Sequence, residues 1–152
     1  MIRALRIART SATKAKTQAI NAIKALVVMA PEPLREALRD LPTARLVCTC
    51  ARFRPGDVVD PTAATKNALR SLAVRCQALE AEAHELEIQL DQLTAVTAPR
   101  LRSRFGVGSD SAAALLLAAG DNPARLRSDS SFSMLCGSSR CRRRQARPGG
   151  TD

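Results

Sequence analysis

Residues 60–99, DPTAATKNALRSLAVRCQALEAEAHELEIQLDQLTAVTAP, decide the fold. Leu72, Leu79, Leu86 and Leu93 recur at every seventh position, with Leu69, Cys76, Ala83 and Leu90 in the companion positions. Alternating steps of three and four are the signature of a coiled-coil seam. Asp60 followed by Pro61 is a helix start, because the carboxylate caps free amides and proline needs no donor at the first position. Pro99 is the stop. The acids Glu80, Glu82, Glu85, Glu87 and Asp91 spread around this helix as flanks of the seam. His84, the single histidine, lies just off it and reads as a surface residue, with no nucleophile at a supporting spacing.

A seam needs a partner. Residues 2–29 provide a second long helical pattern, with Leu5, Ala8, Ala12, Ala15, Ala19, Ile23, Leu26 and Val27 at helical spacing. This segment carries six Lys/Arg and no acid through residue 31, whereas residues 76–99 carry five acids and no Lys/Arg. Opposite charge favours folding the first helix back on the second. The same helix from another protomer is the alternative partner, and both arrangements are compatible with a homo-oligomer. Between the long helices, Pro31-Glu32-Pro33 ends one helix and starts another, PLREALRDL, and a third short helix runs from Pro42 to Phe53 before a Pro55-Gly56-Asp57 turn.

Downstream, residues 101–137 read LRSRFGVGSDSAAALLLAAGDNPARLRSDSSFSMLCG. Gly106 and Gly108 flank Val107, as a tight hairpin requires. Ser109 or Asp110 is placed to cap the apolar helix Ala112–Ala119, and Gly120 occupies the position that ends it. Free amides at such a helix start suit an anion, here a nucleic-acid phosphate. If the φ of Gly108 is positive, its replacement is expected to cost about 1 kcal/mol or more of stability.

The chain has 152 residues, a formal net charge of +10 and only 2% aromatics. That length buries a modest core, built from Leu/Ala helix seams in the absence of Trp and Tyr. The charge points to a polyanionic partner. The longest apolar run, Ala112–Ala119, is far below the roughly 20 residues needed to span a bilayer, so no membrane partner is expected. Five scattered cysteines without a leader sequence fit a reducing cytoplasm. Cys48-Thr-Cys50 lacks both the usual two-residue gap and a matching second pair, so no metal is assigned to it. The basic, acid-free start has the composition of a transit peptide but continues smoothly into an amphipathic helix.

The segment FGVGSDSAAALLLAAGDNPARLRSDSSFSMLCG resembles the C-terminal signature of the DEDD-type insertion-sequence transposases, the insertion sequence one-hundred-and-ten group that includes the Piv and MooV DNA invertases. Phe105 and Ser109 stand where that family has prolines, while both hairpin glycines match. KTQAINAIKALVVMAPEPLREALRDL, FRPG and DPTAATKNALRSLAVRCQALEAE are similar to the segment joining the family's two catalytic domains, so the likeness covers about residues 2–137. The family has a RuvC-like domain with four metal-binding acids before this segment; here the chain starts at Met1 without it. The resemblance therefore implies a fragment that binds DNA, and an element-encoded guide RNA as a further partner. Whether it is an enzyme stays open: the divalent metal belongs to the missing DEDD domain, and no catalytic residue, metal ligand or cofactor is assigned in this chain.

After Gly137 the text changes to SSRCRRRQARPGGTD, where the family leads toward a serine used in strand exchange. Back-translating Arg140–Asp152 with GC-rich codons and reading from the third base gives Leu-Pro-Ala-Ser-Ser-Gly-Lys-Thr-Gly-Arg-His-Arg. That suggests a frameshift just after Gly137; an evolved basic tail that binds nucleic acid loosely is the alternative.

The expectation is an all-α chain: a helical coiled-coil arm over residues 1–99, a helix-hairpin-helix module over 100–137 and a disordered basic tail over 138–152. The nucleic-acid-binding residues expected are Gly106, Val107, Gly108, Ser109, Lys14, Lys16, Arg125 and Arg127. Leu72, Leu79, Leu86 and Leu93 are the expected seam. Two other readings stay open, a free-standing or dominant-negative binding module and a purely structural coiled-coil protein.

Overall fold

A computed structural model describes residues 1–54, 56, 60–120 and 128–135. Among these residues every regular element is helical: α1 (Ile2–Met29), α2 (Glu32–Arg39), α3 (Thr43–Ala51), α4 (Pro61–Thr97), α5 (Pro99–Arg102), α6 (Ser109–Ala119) and α7 (Asp129–Leu135). The all-α expectation holds, and the long helices fall where capping and proline placed them. Asp60 accepts hydrogen bonds from the amides of Thr62 at 3.3 Å and Ala63 at 3.2 Å, which fixes the start of α4. Ala30, held extended by the following Pro31 (φ −67, ψ 153), ends α1.

The chain divides into two compact units, Met1–Ala113 and Ala114–Asp152. The division falls inside α6, so the hairpin turn and the first residues of α6 belong to the first unit.

In the first unit α1 and α4 run antiparallel. Lys16 meets Glu80 at 3.2 Å and Arg9 meets Glu87 at 3.4 Å, so seven residues back along α1 match seven residues forward along α4. α4, 37 residues long, extends for about 55 Å at 1.5 Å per residue. The main core lies where α2 and α3 fold against one end of this pair. Ile23, Val27, Leu34, Leu38, Leu46, Val47, Cys50, Leu69, Ala73 and Cys76 pack there, with Phe53 and Leu72 at its margin. Burial raises the Cys50 thiol above its ordinary pKa. It does the same for Cys76, where Glu80 adds to the rise and Lys16 opposes it. Both are protonated core groups that pack as small apolar side chains.

Of the two columns of the expected seam, the companion column is the more deeply covered. Ala63, Leu69, Ala73, Cys76, Leu90 and Thr94 are the buried residues along α4, while Leu72, Leu79, Leu86 and Leu93 are only half-buried. One neighbouring helix covers one stripe. α1 offers Ala12, Ala19, Ile23 and Val27 to the companion column, which leaves the leucine column along the edge of the contact. A straight helix also drifts about 20° per heptad against a seven-residue repeat, which brings Ala73 and Thr94 into the covered stripe.

In the second unit, Gly120 (φ +64) ends α6 in the left-handed conformation, its amide donating to the Leu116 carbonyl at 3.0 Å. The Ser128 hydroxyl accepts the Ser131 amide at 3.2 Å and so caps α7. Residues 121–127, Cys136, Gly137 and the whole 138–152 stretch lie outside the described residues.

Candidate nucleic-acid interface

The hairpin is built on a single helical turn. Ala98 and Pro99 break α4, α5 occupies four residues, and the chain turns through Ser103–Gly108 into α6. Arg102 holds this turn: one end of its guanidinium donates to the Val107 carbonyl at 2.7 Å and the other pairs with Asp91 of α4. The Val107 amide donates to the Arg104 carbonyl at 3.2 Å, which closes the turn.

Two expectations for the hairpin are corrected. The positive φ lies at Gly106 (+80) and not at Gly108, because the reversal is completed before Val107. Ser109 does not stand before the helix: the Gly108 carbonyl accepts the Ala112 amide at 2.9 Å as the first helical bond of α6, and Ser109 is the first helical residue and is buried. Asp110 does not cap either. Its carboxylate reaches across to α1, 3.3 Å from Arg6 Nε and 3.5 Å from Arg9 Nη1. Gly106→Ala is therefore expected to cost about 1–2 kcal/mol from left-handed strain alone. Gly108→Ala, with no atom within 4 Å of an added Cβ, should stay within about 0.5 kcal/mol. Thermal unfolding of the two variants checks the order, and a larger loss at Gly108 would contradict this turn.

Of the expected binding residues, Gly106 and Gly108 are exposed, Val107 is half-buried and Ser109 faces inward. An acid in the first turn of α6, Asp110, works against phosphate at that helix start. Lys16 is engaged with Glu80, whereas Lys14 is exposed and unpaired. Arg125 and Arg127 lie outside the described residues. Lys14 and Arg3, about three turns apart, share the face of α1 opposite the buried Ala12 and Ala19, so cations line the outside of the arm.

Arg100 and Arg104 were missed from the sequence. Both are exposed and, among the described residues, without an acidic partner, on either side of Arg102 at the base of the hairpin. Their signal was the alternation R-L-R-S-R at 100–104, in which the middle arginine is structural and the outer two face solvent. A cleft of about 410 Å³ at the far end of α1 carries Lys24, Arg35 and Arg39 over an apolar floor of Val27, Leu38 and Leu46. Among the described residues, no group of three or more His, Cys, Asp or Glu side chains is placed to hold a metal ion. Nor is any helix among them long and apolar enough to cross a membrane. His84 is exposed on α4.

The chain matches no known protein-family model, no curated protein and no solved structure.

Proposed function

We propose that this chain is a nucleic-acid-binding arm and hairpin, working as a transposase fragment of the DEDD insertion-sequence type. The observation that carries the binding role is the placement of unpaired cations. Arg3 and Lys14 on the outer face of α1, with Arg100 and Arg104 beside an exposed glycine turn, present positive charge to solvent and make no ion pair among the described residues. Such a surface tracks a phosphate backbone and carries no base readout of its own. The transposase assignment rests on the sequence resemblance, DNA is the partner it implies, and an element-encoded RNA is a second polyanion that the same surface suits. The free thiols of Cys48, Cys50 and Cys76 fit a reducing, cytoplasmic compartment.

The test is titration of a labelled duplex with the purified chain and with the Arg3→Gln/Lys14→Gln variant. Loss of two phosphate contacts is expected to weaken binding at least about threefold at moderate salt. Unchanged affinity would remove the outer face of α1 from the interface. Sequencing the DNA around the reading frame tests the transposase part: DEDD-domain coding sequence supports it, and intergenic DNA with a dedicated promoter favours a free-standing binding module.

A second reading has its own observation. The half-buried Leu72, Leu79, Leu86 and Leu93 edge is the kind of stripe through which a coiled-coil protein self-associates. Homo-oligomerisation along it is compatible with nucleic-acid binding; a purely structural protein would associate and show no salt-sensitive affinity for DNA.

A further inference from the structure

Arg6 and Arg9 project from α1 toward the start of α6, where one oxygen of Asp110 receives both: Oδ1 is 3.3 Å from Arg6 Nε and 3.5 Å from Arg9 Nη1. The other terminal nitrogen of Arg9 lies 3.4 Å from Glu87 Oε1. Two cations and two carboxylates thus cancel at this end of the arm. All of these contacts are long for charge-assisted bonds, which settle at about 2.7–2.9 Å when well formed. Asp110 is also 47% exposed and Arg6 38% exposed, so water reaches the pair. Two arginines converging on one anionic oxygen, loosely held and open to solvent, are an anion clamp occupied by an internal carboxylate.

We infer that Arg6 and Arg9 form a phosphodiester-binding clamp whose resting occupant is Asp110, so that nucleic acid binds by displacing this carboxylate from α1. The inference rests on the nucleic-acid reading above and specifies how that binding is held in check. A phosphodiester carries the same single charge as the carboxylate and arrives as one of a string of phosphates, whose neighbours engage cations such as Arg3 and Lys14 at the same time. That difference in total contacts drives the exchange, since a ligand shifts an equilibrium only by its differential affinity for the two states. Asp110 therefore lowers affinity for isolated or weakly matched polyanions. On exchange the first turn of α6 loses its ionic hold on α1.

The experiment measures affinity of the full chain for a labelled DNA duplex of about 30 base pairs across a salt series. It compares wild type, Asp110→Asn, Glu87→Gln, and Glu82→Gln, which removes one charge from α4 at an exposed, unpaired site. Asp110→Asn is expected to bind about three- to tenfold tighter, with the slope of log K against log salt little changed, because the two arginines contact phosphate in both complexes and only the competing carboxylate is removed. Glu87→Gln should show a smaller gain, and Glu82→Gln less than about twofold from net charge alone. Adding Arg6→Gln/Arg9→Gln to Asp110→Asn should abolish the gain. If Asp110→Asn binds no tighter than Glu82→Gln, or keeps its gain without the two arginines, the clamp is wrong and the nucleic-acid reading stands. If neither wild type nor any variant shows salt-sensitive binding, both fall. Circular dichroism of each variant establishes folding. Should Asp110→Asn unfold, Glu87→Gln against Glu82→Gln decides: a larger gain for Glu87→Gln supports the clamp and equal affinities overturn it.

Discussion

Replacing Leu69 by alanine is expected to lower the unfolding free energy by about 2–5 kcal/mol, while Leu79→Ala costs roughly 1 kcal/mol or less. Leu69 is fully buried within the cluster where α1, α2, α3 and α4 meet, so truncation leaves a cavity that four helices must close on. Leu79 lies in the leucine column at the edge of the α1–α4 contact and is half-buried, so part of its side chain is already in water. Urea unfolding followed by circular dichroism compares them directly. Equal losses, or a greater loss at Leu79, would mean that the leucine column and not its companion faces α1.

The second large effect is expected at Arg102. Its guanidinium links α5 to both the hairpin and α4, through the Val107 carbonyl and Asp91. Arg102→Ala removes one bond to a backbone acceptor and one ion pair, together about 1.5–3 kcal/mol for hydrogen bonds with a charged partner. The lower half of that range is the better expectation. Asp91 is 51% exposed and regains water, and the Arg102 Nε is buried without an acceptor, a cost that the substitution relieves. Arg102→Lys keeps the charge but cannot fork to two acceptors, so it should recover less than half of the loss. Amide exchange at Val107 and Ala112 should accelerate in Arg102→Ala while exchange in the α2–α3 core is unchanged. Uniform acceleration would show that Arg102 supports the whole unit and not the turn in particular.

Much of the fold was legible because its punctuation is local. Asp60-Pro61, Pro31 and Pro99 act through dihedral limits and missing donors that hold in any surroundings, and the helix limits followed from them. The α1–α4 pairing followed from opposite charge on two long helices. Three features could not be read in this way. Which leucine column is buried depends on how much of α4 a single neighbour covers, a tertiary quantity that periodicity does not contain. The choice of Gly106 over Gly108 for the left-handed residue depends on where α5 ends, and the two glycines are equivalent as sequence. Opposite charge on α1 and α4 was legible, but not which cations it would occupy: Arg6, Arg9 and Lys16 are taken up by Asp110, Glu87 and Glu80, and Asp110 comes from outside the acidic stretch. The proposed interface is correspondingly displaced, from the helix start at Ser109 toward Arg3, Lys14, Arg100 and Arg104.

The central claim is that these exposed cations bind a phosphate backbone, and the salt dependence of binding tests it most directly. Affinity of the purified chain for a duplex of unrelated sequence should fall linearly on a log–log plot against salt. A slope of about −3 to −4 corresponds to four phosphates neutralised at about −0.9 each. No measurable binding at low salt, or an affinity that does not change with salt, would contradict the account and leave a structural helical arm.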